Sequence, residues 1–290
     1  GAAIGLELLF NLDTGLAVGI MCLLAGVLLA SGWYKLIERV LVLLVALMAL
    51  VFIVTALAAP WPMALVQSQL VEFALPEGSQ WLLVALIGTT VVPYNLFLHA
   101  SAVQEKWSAQ IPALIAIREA RRDLWLSVSL GGLVTLSIML TSFIAFHGRA
   151  EELSLGSLAE QLEPLLGQWA QLFFSLGLFS AGLSSAITAP LAAAYAANGA
   201  FGWNEGLKGK RFRLTWVLVL LAGAGGALTG VKPLAAQYAN GMLLPLLALL
   251  LVWLANRAQI LGVSVNNKVF NALAAVVVLI CLLLGYAKLA

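Results

Sequence analysis

Long runs of apolar residues separated by short polar segments dominate the pattern of this chain. A helix needs roughly 20 mostly apolar residues to cross the hydrocarbon core of a membrane, whereas a barrel strand alternates over about 10 residues. The uncharged runs here have the length of helices. The pattern therefore predicts eight membrane-spanning helices, at about 15–32, 36–58, 82–99, 124–146, 170–196, 214–230, 234–254 and 269–287.

Two further stretches do not form complete spans. Residues 1–10 have the composition expected for the end of an earlier span, and the first residue is Gly1 instead of Met. We therefore expect an N-terminally truncated chain whose residues 1–290 form a single transmembrane domain. The segment between the second and third spans is too polar to cross, and we expect it to lie on the membrane surface.

Composition strengthens this picture. Hydrophobic residues make up 62% of the chain and charged residues 10%, whereas soluble domains carry about 25% charged residues. A chain with so few charges cannot cover a water-exposed surface. The sequence therefore predicts an all-α, multi-pass membrane protein that lies in a lipid bilayer. The membrane that we expect is a bacterial inner membrane. The net charge of +2 gives no indication of nucleic-acid binding. Cys22 and Cys281 lie in apolar runs, which indicates small hydrophobic side chains instead of a disulfide or a metal pair.

Basic residues predict the orientation of the spans. Most of the 15 basic residues fall in alternate loops, and the positive-inside rule makes those loops cytoplasmic. The acidic segment 147–168 then lies outside. The cytoplasmic basic residues are Lys35, Arg39, Lys106, Arg118, Arg121, Arg122, Lys208, Lys210, Arg211, Arg213, Arg257 and Lys268.

The third span contains the residues most indicative of a function, in the stretch LIGTTVVPYNLFLHAS at 86–101. Gly88 and Pro93 lie within the span, and the β-branched residues before the proline lower helix propensity further. Asn95 follows two residues later. Discontinuous helices of this kind hold the ion and substrate sites of secondary transporters. A simple proline kink with polar packing is the alternative, and the residues by themselves leave both open.

This stretch resembles the sixth helix of the Nramp family of divalent metal transporters, whose pattern is roughly G-A-x-x-M-P-H-N-L-x-L-H-S. WYKLIERVLVLLVALMALVFIV at 33–54 is similar to the family's fifth helix, and FFSLGLFSAGLSSAITAP at 173–190 is similar to its eighth. The resemblance implies a LeuT-type fold of two inverted repeats. It also implies that the chain runs from the end of the third helix to the eleventh, without the first helix.

The resemblance implies a substrate site at the break in the third span. Thr89 takes the place of an Ala whose carbonyl faces the metal, and Val92 takes the place of a Met whose thioether binds it. Tyr94 replaces a His, and Asn95 is retained. The expected substrate-binding residues are Thr89, Thr90, Val92, Tyr94 and Asn95, with the helix break at Gly88 and Pro93 and with Thr89 and Asn95 as metal ligands.

The departures from the family pattern bear on the choice of ion. A thioether favours soft transition metals, whereas hydroxyl, amide and carbonyl oxygens favour Mg²⁺, Ca²⁺ or Mn²⁺. With Val92 there is no sulfur at that position, as in the Nramp-related magnesium transporters. Leu243 also stands where the family has a glutamine, with Asn240 one turn earlier. Glu7 is the carboxylate closest to the middle of a span, so a divalent ion would depend on charge from the missing segment.

His99 corresponds to the second His of the family motif, and histidine is a residue type that can relay protons at physiological pH. A structural His at a helix end is the alternative. His147 lies at the end of a span and is expected to be interfacial. Hydroxyl residues on two spans either line a path or mediate helix packing. They are Ser129, Thr135, Ser137, Ser180, Ser184, Ser185 and Thr188.

We therefore expect secondary transport of a divalent metal ion of the Mn or Mg class, by alternating access around the break at 88–95. Proton coupling is left open, and no cofactor is expected. A carrier of an amino acid or another small solute with the same fold and a non-transporting fragment are the alternatives. An enzyme is not expected, because the spans contain neither paired carboxylates nor a Ser/His/Asp set.

Overall fold

The computed structural model describes residues 1–31, 34–59, 61, 67, 79–90, 92–106, 112–148, 157–203, 205–231, 233–262 and 265–286. Within these ranges the regular elements are helices. They are α1 (Ala2–Phe10), α2 (Thr14–Ser31), α3 (Tyr34–Ala58), α4 (Gln80–Thr90), α5 (Pro93–Lys106), α6 (Ala113–Phe146), α7 (Glu163–Leu166), α8 (Ala170–Ala200), α9 (Lys210–Leu228), α10 (Pro233–Ala255), α11 (Ala258–Leu261) and α12 (Lys268–Tyr286), with short 3₁₀ helices at Ser157–Leu162 and Gly167–Trp169.

Six of the described helical stretches are long and apolar enough to cross a membrane. They are Thr14–Ser31, Arg39–Ala58, Leu114–Phe146, Ser157–Ala200, Lys210–Leu228 and Leu234–Ala255, with shorter apolar helices at Trp81–Thr90 and Lys268–Ile280. The all-α membrane fold predicted from the sequence is therefore confirmed. The predicted span 82–99 is divided between α4 and α5, and the other seven coincide with one helix each.

Two compact units make up the chain. The first, the α8 unit, comprises Gly1–Val71 and Leu98–Leu228, and the second, the α10 unit, comprises Glu72–Phe97 and Thr229–Ala290. The boundary at Leu98 falls inside α5, so that helix contributes its first turn to the α10 unit. The expectation of one transmembrane domain stays a prediction.

The α8 unit is built around α8, which packs against α1, α2, α3 and α9. Its core includes Leu183 and Ile187 of α8 together with Phe212 and Trp216 of α9, all buried. Gly5 of α1 lies against the backbone of α8, where an added Cβ would come within 2.6 Å of the amide nitrogen of Phe179. Small residues allow this close approach of backbones, which is how helices commonly associate where lipid removes the hydrophobic driving force.

A buried glutamine fixes the segment that follows α6. The Oε1 atom of Gln161 accepts hydrogen bonds from Ser142 at 2.8 Å and from Thr141 at 3.2 Å, and its amide donates to the carbonyl of Leu158 at 2.7 Å. The part of the acidic segment 147–168 that the structure describes beyond Gly148 is therefore helical and attached to α6. Glu151 and Glu152 lie outside the described residues.

The α10 unit consists of α4, α10, α11 and α12 together with the first turn of α5. Helix α10 packs against both α4 and α12. Its contact with α4 is made through Gly88 and Gly241, at a crossing where the two backbones meet. Both glycines are buried.

Large apolar side chains cover the outer faces of the helices. On α6, Trp125 is 73% exposed and Val128 61% exposed, and similar values occur on the other spans. In water such a surface would mark an interaction site or an aggregation hazard. In a bilayer it is the surface that contacts lipid, because the helices satisfy their own backbone hydrogen bonds.

Candidate functional site

Helix α4 ends inside an apolar stretch, and α5 begins three residues later. Thr90 is the last residue of α4 and Pro93 the first of α5, while Val92 between them is not helical. Proline is favoured at the first position of a helix, where its missing N–H is not required. It is disfavoured in a helix interior because it removes a donor and clashes with the preceding turn. Val91 lies outside the described residues.

The carbonyl of Thr89 lacks its usual donor for a covalent reason. A helical carbonyl accepts from the N–H four residues ahead, and four residues ahead of Thr89 is Pro93, which has none. This carbonyl also belongs to the C-terminal turn of α4, where the helix dipole places partial negative charge. The end of α4 therefore offers a neutral oxygen in a field that favours cations.

The threonine hydroxyls of this turn are already engaged with their own helix. The Thr89 hydroxyl donates to the carbonyl of Ala85 at 2.8 Å, and the Thr90 hydroxyl donates to the carbonyl of Ile87 at 2.9 Å. A hydroxyl oxygen that donates one hydrogen bond keeps lone pairs for a cation. Both threonines are exposed, so these oxygens are accessible at the end of α4.

Asn95 lies in the first turn of α5. Its backbone N–H donates to the carbonyl of Val92 at 3.0 Å, which closes the first turn of the helix. Its side chain is exposed, and Val92 is half-buried. Pro93 and Tyr94 have helical backbone, and their side chains lie outside the described part of the structure.

The crossing of α4 and α10 brings two further side-chain amides close to this site. A Cβ added at Gly88 would overlap the carbonyl oxygen of Gln237 and the amide nitrogen of Gly241. One turn of α10 then carries Gln237 and Asn240, whose side chains are joined by a hydrogen bond of 3.3 Å. Sequence reasoning noted Asn240 and missed Gln237. The signal was the i, i+3 spacing of two amides in an apolar span.

Leu243 does not form part of a polar site. It is 53% exposed on α10, in the next turn after Asn240. The family position that carries a glutamine is therefore apolar here, and the amides of Gln237 and Asn240 lie in the turn of α10 whose backbone meets Gly88.

His99 lies one turn after Asn95 on α5 and is exposed. It lines a small cleft of about 230 Å³ between α5 and α6, within the α8 unit. Lys106 and Asp123 form an ion pair in the same cleft. His99 thus shares a cleft with the ion pair of Lys106 and Asp123. It also lies one helical turn after Asn95 on α5.

The hydroxyls predicted to line a path or mediate packing mostly bond within their own helices. Ser137 donates to Leu133, Ser180 to Leu176, and Thr188 to Ser184, at 2.7 to 3.0 Å. These intrahelical bonds satisfy the hydroxyls where the helices pack. His147 is exposed at the end of α6, and its ring lies 4.9 Å from that of Phe143. This position at a helix end suits the predicted location at the interface between membrane and water.

Glu7 of α1 has a buried carboxylate oxygen, Oε1, that has no hydrogen-bond partner among the described residues. The hydroxyl of Ser175 on α8 is likewise buried without a partner there. No group of three or more His, Cys, Asp or Glu side chains that could hold a metal ion occurs in the described ranges. The ligands available at the break are therefore carbonyl, amide and hydroxyl oxygens.

The helical spans define a multi-pass membrane protein, and one apolar stretch is interrupted between Thr90 and Pro93. Comparison with known families agrees: the model of the Nramp family, described as natural resistance-associated macrophage protein-like, matches residues 1–290. The chain belongs to the Nramp family. Membership places it among integral membrane transporters with a LeuT-type fold, and not among enzymes.

Several bacterial proteins named divalent metal cation transporter MntH are similar to the chain. The protein of Mesorhizobium japonicum is 28% identical over 305 residues, which cover 100% of this chain and 67% of that relative. The protein of Bradyrhizobium diazoefficiens is 30% identical over 203 residues, or 66% of this chain and 45% of the relative. MntH 1 of Pseudomonas aeruginosa is 28% identical over 289 residues, or 94% and 66%. The chain thus spans about two thirds or less of the length of these relatives.

These comparisons confirm the family predicted from the sequence and the multi-pass location in the membrane. The predicted bacterial inner membrane agrees with the bacterial relatives. The predicted site residues, the orientation and the single domain are not tested by them and stay predictions.

Proposed function

We propose that the protein transports a divalent metal ion and that the ion binds at the break between α4 and α5. One observation carries the proposal. Pro93 leaves the carbonyl of Thr89 without its helical donor, at the negative end of α4 and next to the first turn of α5, which carries Asn95. In a membrane such a carbonyl is tolerated where it meets water, protein or an ion, and half-helix C-termini with unwound carbonyls coordinate cations in secondary transporters.

The proposed ligands are hard oxygens. They are the carbonyl and hydroxyl of Thr89, the hydroxyl of Thr90 and the side-chain amide oxygen of Asn95. Oxygen ligands suit Mg²⁺ and Mn²⁺, whereas Cd²⁺ and other soft ions favour sulfur. Val92 supplies no sulfur at the break, so we propose a substrate of the Mn or Mg class.

The crossing of α4 and α10 supports this location. The buried glycines Gly88 and Gly241 hold the last turn of α4 against α10. The amides of Gln237 and Asn240 add polar groups in the adjacent turn of α10. A site whose ligands lie on packed helices is positioned more accurately than one on mobile loops.

We propose alternating access around this break, because the LeuT-type fold places substrate sites at discontinuous helices and moves one helical bundle against the other. For proton coupling the proposed relay is His99. Its imidazole is accessible, lies one turn from Asn95 and faces a cleft that contains Lys106 and Asp123. The names of the bacterial relatives, divalent metal cation transporters, support the substrate class.

A carrier of a small organic solute is the second candidate. Its support is the replacement of metal-binding positions of the family by Val92 and Leu243. The N-terminus of α5, at Pro93, offers the positive dipole end that binds a substrate carboxylate in such carriers. The two candidates differ in whether uptake requires a metal ion.

The test is uptake into liposomes that contain the purified protein, with Mn²⁺ and Mg²⁺ as substrates. Asn95→Leu should abolish metal uptake and leave the amount of folded protein unchanged, because the side chain is exposed and has no part in the core. Thr135→Val is the matched control, since the Thr135 hydroxyl donates within its own helix, to the carbonyl of Gly131. Undiminished metal uptake by Asn95→Leu would refute the metal site at the break.

A further inference from the structure

An apolar groove runs between α2 and α9 in the α8 unit. Its volume is about 620 Å³. Small residues form its floor on α2, and larger apolar residues form its walls on both helices. The lining includes Gly19, Cys22 and Gly26 of α2 and Trp216, Leu220 and Leu228 of α9.

The length of the groove suits one acyl chain. From Trp216 to Leu228 is twelve residues of α9, or about 18 Å at a rise of 1.5 Å per residue. One leaflet of a bilayer contributes about half of a hydrocarbon core roughly 30 Å thick. The groove is therefore somewhat longer than one leaflet is deep, which is long enough to hold a single acyl chain.

Basic side chains stand at one end of the same helix face. Arg213 precedes Val217 by four residues and Leu220 by seven, so it lies in line with the groove residues of α9. Lys210 lies one turn earlier, near that line. Both are exposed, and neither forms an ion pair with an acidic side chain among the described residues.

The neighbouring acidic residue is occupied elsewhere. The Oε2 atom of Glu205 accepts the backbone N–H of Arg211 at 2.9 Å and that of Phe212 at 3.2 Å. Arg211 itself lies over the ring of Trp203, 5.7 Å from its centre. The Glu205 carboxylate therefore caps the first turn of α9, and it forms no ion pair with Lys210 or Arg213.

We propose that this groove binds an anionic phospholipid. One acyl chain lies between α2 and α9, and the phosphate headgroup contacts Arg213 and Lys210. The argument combines apolar surface of the right length with charge complementarity at the end where a headgroup must lie. An arginine can hold a phosphate through two parallel N–H···O bonds. A zwitterionic headgroup also carries a cation, which the basic side chains repel, so an anionic headgroup should bind more tightly. The proposal does not depend on the ion that is transported.

The first experiment compares lipid headgroups on the purified protein in detergent. Native mass spectrometry would count bound phosphatidylglycerol and phosphatidylcholine with identical acyl chains. The unaltered protein should prefer phosphatidylglycerol. The double variant Lys210→Gln, Arg213→Gln should lose affinity for it by roughly thirtyfold, since each basic residue near the surface contributes a factor of about five. Arg118→Gln, Arg122→Gln on α6 removes the same charge and should leave the preference intact.

The second experiment locates the lipid chain. In a Cys281→Ala background, phosphatidylglycerol should slow alkylation of Cys22 by a small maleimide at least severalfold, because Cys22 lines the groove. Gly19→Leu should abolish this protection and reduce lipid binding, because the new side chain occupies the groove; a Cβ there meets nothing within 4 Å, so the fold tolerates it. Gly132→Leu on the exposed face of α6 is the matched control.

Each contrary outcome overturns the proposal. Equal binding of the two lipids would remove the charge contribution. Unchanged protection in Gly19→Leu would place the chain elsewhere. Disulfide-linked dimers through Cys22, formed equally with and without lipid, would show that a second copy of the protein occupies the groove.

Discussion

Two prolines within apolar spans have different effects on their helices. Pro190 is buried in α8, which continues without interruption from Ala170 to Ala200. Pro93 follows the end of α4 and starts a new helix. Each removes the donor for the carbonyl four residues earlier, so the missing hydrogen bond does not explain the difference.

The neighbouring residues and the packing do explain it. Pro190 is followed by Leu191 and three alanines, which favour helix, and α8 packs on α1, α2, α3 and α9. Pro93 is preceded by two threonines and two valines, which disfavour it. A proline interrupts a span when local propensity and surrounding packing both allow the helix to end, and the interruption then leaves polar groups for a ligand.

The largest effect is expected at the helix crossings. Gly88→Ala places a Cβ against the backbone of α10, which cannot move aside, whereas Gly177→Ala places one against the side chain of Met48. We expect a loss of about 3 kcal/mol or more in stability for Gly88→Ala and about 1 kcal/mol for Gly177→Ala. Thermal unfolding followed by size-exclusion chromatography measures both. Equal losses would show that backbone contact does not distinguish the two regions.

The second effect concerns the two prolines directly. Pro93→Ala restores an N–H that can donate to the Thr89 carbonyl and removes the ring that prevents α4 from continuing into α5. We expect metal uptake to fall by about tenfold or more, because the carbonyl is then engaged by the helix. Pro190→Ala should change uptake by less than about twofold, since α8 is already continuous. Liposome uptake of Mn²⁺ compares them, and a larger loss in Pro190→Ala would reverse our assignment of the site.

A smaller effect should appear in the choice of ion. Val92→Met introduces a thioether at the break and should raise the affinity for Cd²⁺ by about tenfold while changing that for Mg²⁺ little, because sulfur favours soft ions. Competition of the two ions in liposome uptake measures the ratio. Leu243→Met, at an exposed position of α10, is the control. If the unaltered protein already binds Cd²⁺ tightly and Val92→Met changes nothing, Val92 does not face the ion.

The smallest effect is expected in the cleft beside His99. Asp123→Asn breaks the ion pair with Lys106. The side chains of both residues are more than half exposed. Exposed pairs contribute about 0 to 1 kcal/mol to stability, so the unfolding temperature should change by a few degrees at most. A double-mutant cycle with Lys106→Gln isolates the pair. A coupling well above 1 kcal/mol would show that the cleft is screened from water more than its exposure indicates.

The helices were predictable because hydrophobic runs of span length leave few other structures in lipid. The interruption was also indicated, by Gly88, Pro93 and the β-branched residues between them. The role of Gly88 was not, because a glycine that weakens a helix and a glycine that admits a second backbone look the same in a sequence. The structure assigns Gly88 to the crossing with α10.

The polar groups around the break were predicted in part. Thr89, Thr90 and Asn95 follow from the family motif. Gln237 lies some 140 residues further along the chain, and only the crossing of α4 and α10 shows that its turn meets Gly88. The groove between α2 and α9 could not be predicted either, because it depends on how two distant glycine-containing spans pack.

The connection between α8 and α9 has a mechanical consequence. Asn198 and Glu205 exchange two hydrogen bonds of 3.0 Å between side-chain amide and backbone, and the carboxylate of Glu205 holds the first turn of α9. Phe201 and Trp203 stack within the same connection, with ring centres 5.0 Å apart. These contacts tie the end of α8 to the first turn of α9, so we expect a displacement of one helix end to carry the other with it.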